Sequence, residues 1–112
     1  MCPDCHLCEM PTTEERINEP GVFGRSYEYG GIFIREFIFR KGEGIGGHAH
    51  KLDHLSKLES GSASVQVGDE IKHYAAPAYI PMPKGVVHKI IATAEPTIWH
   101  CIFAATRDEA YR

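Results

Sequence analysis

The chain has no apolar run approaching the length of a membrane span, and its first residues lack the basic-then-apolar order of a secretory signal. The expectation is therefore an intracellular, cytoplasmic protein. It has no excess of positive charge either: 12 Lys and Arg against 15 Asp and Glu leave a formal net charge of -3. That balance gives no support to a nucleic-acid or membrane partner. No internal repeat and no low-complexity segment interrupts the sequence. At 112 residues there is room for one domain with a small core, so a bound metal or a second copy would add stability.

Cysteine is scarce and unevenly placed. Three of the 4 cysteines, Cys2, Cys5 and Cys8, fall at the start beside His6. In a reducing compartment they stay thiols or metal ligands. Cys-x2-Cys-x2-Cys is half of a zinc or iron–sulfur pattern, and the second half is missing: Cys101 stands alone and His6 adjoins Cys5. The expectation is a head without a permanent metal; a zinc site shared across a dimer is the alternative. Cys101 reads as a small buried hydrophobe.

What the sequence does have is strands and turns. Residues 12–17 read as a short helix with a Thr cap and acids in the first turn, ended by Pro20 and Gly21. Beyond residue 22 the pattern is β. Residues 32–40 form a long run with Phe33, Arg35, Phe37 and Phe39 on one face and Ile32, Ile34, Glu36 and Ile38 on the other. Both faces are largely apolar, so both should be covered, by the core and by a partner subunit. Residues 54–59 and 63–67 are the next strands, split at Gly61. Gly68 and Asp69 turn the chain into 70–74. A short strand at 78–80 should stop at Pro81, Met82 and Pro83. Residues 86–93 and 97–105 close the set, and a polar tail at 106–112 has helical character. Short strands with Gly and Pro turns argue for an all-β sandwich or barrel. The division expected is an extension over 1–20, a barrel over 21–106 and a tail over 107–112.

Histidine carries the chemistry. His48, His50 and His54 fall within seven residues, after a glycine-rich run, and His88 lies far downstream. On an extended strand, positions 48 and 50 would present both rings to one face. A turn would bring His54 to the same point, and His88 would be the fourth donor. Convergent imidazoles read as a transition-metal site.

These residues resemble the cupin superfamily. Its first motif is matched by Gly42, His48, His50 and Gly61, with His54 where a Glu is usual. Its second motif is matched by Pro83, Gly85 and His88, with Ala92 in place of Asn and Pro77 in place of the opening Gly. The resemblance spans roughly residues 30 to 105. It implies a double-stranded β-helix, or jelly-roll barrel, with one divalent metal held by His48, His50, His54 and His88. It also implies a small-molecule ligand and a homodimer.

Four neutral ligands leave the ion's charge uncompensated, which favours anionic chelating ligands. Four protein ligands leave an open position only on a five- or six-coordinate ion, so Mn or Fe is favoured, with Ni, Cu and Zn as alternatives. Alternation from His54 puts Ser56 and Leu58 on the metal side; from His88 it puts Ile90 and Ala92 there. Arg35 is a candidate clamp for a substrate carboxylate if its face is the inner one; otherwise it is solvated or ion-paired with Glu36. His100 and Cys101 sit on opposite faces, so at most one points inward, and His100 is a candidate pocket residue. The function expected is a metal-dependent oxidoreductase of the dioxygenase kind, acting on a small oxygen-bearing substrate that chelates the metal. A metal-dependent lyase or isomerase, or a non-catalytic binding or sensor module, are the alternatives.

Overall fold

A period-two alternation of apolar and polar residues runs through most of the chain, and strands are what it produces. The computed structural model describes residues 12–16 and 23–110; the side chains of 12–16, 23, 47, 48 and 107 lie outside that description, as does the Cys2, Cys5 and Cys8 head. The strands are β1 (Thr12–Arg16), β2 (Phe23–Tyr29), β3 (Ile32–Phe39), β4 (Gly44–His48) and β5 (His54–Ser60). They continue with β6 (Ser62–Val67), β7 (Glu70–Ala75), β8 (Ala78–Met82), β9 (His88–Ala92) and β10 (Thr97–Phe103), followed by a helical turn, α1 (Arg107–Ala110). Two antiparallel sheets result. One has the order β1-β2-β3-β10-β5-β8, the other β4-β9-β6-β7. This is the all-β jelly roll.

Two local expectations are corrected. Residues 12–16 are not helical: they form β1, paired with β2 from Thr12↔Tyr27 to Arg16↔Phe23. A single helical turn costs nucleation that so short a segment cannot recover. The edge of β2 offers a ready ladder instead. The strand at 78–80 also does not stop at Pro81. It runs on to Met82, with Pro81 opposite Leu55. β8 is the outermost strand of its sheet, and an edge strand tolerates a residue with no N–H to donate.

The inner faces meet in one core. Phe33, Phe37, Phe39, Leu58, Trp99 and Phe103 come from the larger sheet, and Ala63, Val65, Ile90 and Ala92 from the smaller. The Phe33/Arg35/Phe37/Phe39 side of β3 is thus the inner one. The opposite side is less covered than its apolar residues suggest, with Ile32 50 % exposed. At Gly61 the chain turns from β5 into β6 with φ of 85°. A Cβ there would run into Thr97 and the Pro96 carbonyl, so both the conformation and the space require glycine.

Candidate metal centre and barrel interior

His54 opens β5 and His88 opens β9, so the two begin strands of opposite sheets. Each is followed by an alternating run with the same parity inward. His54, Ser56 and Leu58 are buried on β5, and His88, Ile90 and Ala92 on β9. Between them lies the loop carrying His50. It is tied down by two hydrogen bonds to the turn that precedes β9. Gly85 N–H donates to the His50 carbonyl at 2.8 Å. Lys84 N–H donates to Asp53 Oδ1, also at 2.8 Å. Residues more than thirty apart in sequence are thereby fixed side by side.

The arrangement of the first two histidines differs from expectation. β4 ends at His48, and His50 lies beyond it in the loop. They do not share a face of one strand. A register shift between Gly46 and His48 interrupts the pairing with β9 just before β4 ends. The His48 backbone stands opposite His88, while its ring lies outside the described residues. Gly46 reaches this pairing because it has no side chain. A Cβ there would meet the Lys89 backbone and the His88 carbonyl, at a φ of 145°.

Three imidazoles come together. Ring centroids are 5.2 Å apart for His50 and His54, 5.3 Å for His50 and His88, and 5.6 Å for His54 and His88. Phe103 forms one wall, stacked on His54 at 4.5 Å and edge-on to His50 at 5.6 Å. His54 is 7 % exposed, and neither of its ring nitrogens makes a hydrogen bond. Burial, and then the nearby His50 and His88, push its pKa down from 6.5 to about 4. It is neutral at physiological pH, the form in which imidazole binds metals. His88 Nδ1 lies 3.4 Å from the Val86 carbonyl. That long contact favours a proton on Nδ1 and a lone pair on Nε2.

The other expected site residues separate clearly. Arg35 is on the inner face, half-buried, with its guanidinium 5.1 Å from the Phe37 ring centroid. Ser56 is fully buried two residues past His54, and Ile90 lies two past His88. His100 is not in the interior. Strand parity puts Cys101 inward and His100 outward, where its Nε2 pairs with Glu36 Oε2 at 2.8 Å. Phe103 and Trp99 were not anticipated as interior residues. The signal was present: Thr97, Trp99, Cys101 and Phe103 alternate along β10, and all four are buried.

No protein-family model and no curated protein matches the sequence. Solved structures do match in shape. KdgF from Halomonas sp. superposes with a TM-score of 0.74 at 18 % identity, over 84 % of this chain and 87 % of that one. An RmlC-like cupin from Shewanella frigidimarina gives 0.70 at 20 % identity, over 89 % and 88 %. A mutant of Bacillus subtilis oxalate decarboxylase OxdC gives 0.73 at 21 % identity, over 85 % of this chain but only 28 % of that one. The chain has the cupin fold. At these identities the likeness establishes the fold alone.

A cupin barrel with clustered histidines raises the question of a metal, and the geometry answers on fit. Among the described residues no three His, Cys, Asp or Glu side chains are already gathered as a metal cage. The ring spacing is nonetheless suitable. An imidazole bound at about 2.1 Å places its centroid about 3.2 Å from the ion, so two such rings at about 110–120° stand about 5.2–5.6 Å apart. Imidazole rotation about χ2 is soft, so aiming the nitrogens costs little. With the unbonded His54 nitrogens, this donor set fits a divalent transition ion.

Proposed function

We propose that the protein is a metal-binding cupin whose barrel holds one divalent transition ion on His50, His54 and His88, with His48 as the fourth ligand. The reading rests on one observation above the rest: three imidazoles meet at ligand-like spacing, one of them buried with both nitrogens unbonded. A bound ion would supply Lewis-acid polarisation of an oxygen-bearing substrate. The chain's own residues would do the rest. Phe103 and the apolar β9 face restrict water at the ring cluster. His88, steadied from the Val86 carbonyl, presents its unprotonated nitrogen. Arg35 supplies positive charge on the inner face for an anionic substrate.

The activity that best suits this site is a metal-dependent oxidoreductase of the dioxygenase kind, on a small substrate that chelates the ion. Four ligands favour Mn or Fe, and the ring spacing is also compatible with Zn. Oxygen uptake by metal-loaded protein with short 2-oxo and 2-hydroxy acids tests the reaction type. Substrate-dependent uptake, lost on chelation, is the expected result. Turnover without oxygen uptake would replace this reading with a lyase or isomerase. Thermal stabilisation by the acids without turnover would replace it with a binding or sensor module. A homodimer through the outer face of the larger sheet belongs to the same reading. It is supported by an apolar row of Tyr27, Ile34, Ile102 and Leu55 on neighbouring strands.

A further inference from the structure

The inner face of the larger sheet carries a polar row next to His54 and Phe103. Strand pairing sets Ser26, Arg35, Cys101 and Ser56 side by side across β2, β3, β10 and β5. Ser56 is two residues from His54 on the same face of β5. Trp99 is two residues from Cys101 on the same face of β10. Ser56 and Trp99 are both 0 % exposed, and neither Ser56 Oγ nor Trp99 Nε1 has an oxygen or nitrogen acceptor; the one group both approach is the weakly accepting Cys101 sulfur. Buried donors without acceptors destabilise a core unless water or a ligand meets them.

The chemistry of the row narrows what could meet them. An indole N–H and a guanidinium only donate, and a serine hydroxyl can donate. The neighbouring Cys101 sulfur is a weak acceptor. Its thiol is raised to about 11, chiefly by burial, while hydrogen bonding from Trp99 and from Ser56 to this weak acceptor and the Arg35 charge act in the opposite sense. Strand pairing sets Arg35 and Ser56 on either side of Cys101, with Trp99 two residues along the same face of β10. Donors and positive charge side by side, in a low-dielectric core, suit an acceptor that carries negative charge. A cation or an apolar group would leave the donors unmet.

We propose that Ser56 Oγ–H and Trp99 Nε1–H, with the Arg35 charge beside them, form a subsite for the carboxylate of a small acid. Two residues of strand separate Ser56 from His54, a rise of about 7 Å. A short acid with a second oxygen function can therefore span from this subsite to the imidazole cluster. That span rests on the metal reading above; the carboxylate subsite itself does not.

Trp99 is the chain's single tryptophan, so its indole resonance reports on the subsite without ambiguity. The experiment follows that 15N–H resonance in full-length, chelator-treated protein titrated with sodium acetate, and with acetamide as the uncharged control. A saturable downfield shift with acetate and none with acetamide is expected. Ser56→Ala should weaken acetate binding about tenfold, and Ser56→Thr, which keeps the hydroxyl, should retain it. An unmoved resonance, equal shifts with both probes, or unchanged affinity in Ser56→Ala would overturn the subsite. Metal content is read separately on untreated protein. Acetate binding without metal sinks the metal reading and leaves the subsite; metal without acetate binding does the reverse.

Discussion

His54 is a buried imidazole whose burial has a cost that pH exposes. Its pKa, held near 4 by burial and then by His50 and His88, is 6.5 without those surroundings. Well above pH 6.5 the ring is neutral folded and unfolded, and it costs nothing. As pH falls, the unfolded chain takes up the proton first, so stability drains until the folded ring also protonates near 4. For the metal-free protein this predicts about 2 kcal/mol less stability at pH 5 than at pH 7 from this residue. Urea unfolding at the two pH values checks it: His54→Leu should lose that part of the slope, and an identical slope in the variant would contradict it. Thr97 shows the opposite case of a polar group whose burial is satisfied. Its hydroxyl donates to the Ala94 carbonyl at 2.7 Å while the residue is 0 % exposed. Thr97→Val should cost about 1–3 kcal/mol in chemical denaturation, because the Ala94 carbonyl loses its buried donor. The histidines were legible in the sequence because their spacing is unusual. The burial of the Thr97 hydroxyl, which also meets the Ser62 carbonyl at 3.2 Å from 35 residues away, and that of the Trp99 indole were not, because both depend on packing between distant segments.

Elements set where those residues stand. β5, β9 and β10 were readable, since each alternates strictly and buries one parity of side chains. The same alternation separated Cys101 from His100 without saying which faces inward; packing decides that. β4 was harder. Its sequence, Gly44-Ile45-Gly46-Gly47-His48, has almost no side chains to alternate. It is a strand because β9 lies against it, closer than a side chain would allow. Gly46→Ala should therefore cost about 1–3 kcal/mol, from a clash with the Lys89 backbone and a φ that L residues avoid. Thermal unfolding measures this; an unchanged midpoint would mean that β4 is not pressed onto β9. β1 failed as a helix for a related reason. Local propensity in a five-residue segment is weak, and the edge of β2 overrides it.

At the scale of the molecule, two sheets share one core and leave the outside of the larger sheet partly apolar. Leu55 is 39 % exposed and Ile32 is 50 % exposed on that outer side. The homodimer reading predicts that Leu55→Glu shifts the protein to monomer in light scattering. A wild-type protein that is already monomeric at micromolar concentration would remove it. Among the described residues no helix is long and apolar enough to cross a membrane. The barrel itself was legible from strand spacing and from Gly42, Gly61 and Gly85, which all sit at positive φ in turns. What spacing alone could not supply was the closure of the site. That comes from Gly85 and Lys84 holding the His50 loop against the start of β9. The central claim is that one ion binds these imidazoles, and elemental analysis of the protein as isolated, beside folded His54→Ala and His88→Ala variants, tests it most directly. The account predicts about one equivalent of a divalent transition metal in the wild type and a loss of most of it in both variants, since each removes a ligand. Metal content that stays unchanged in His54→Ala would contradict it.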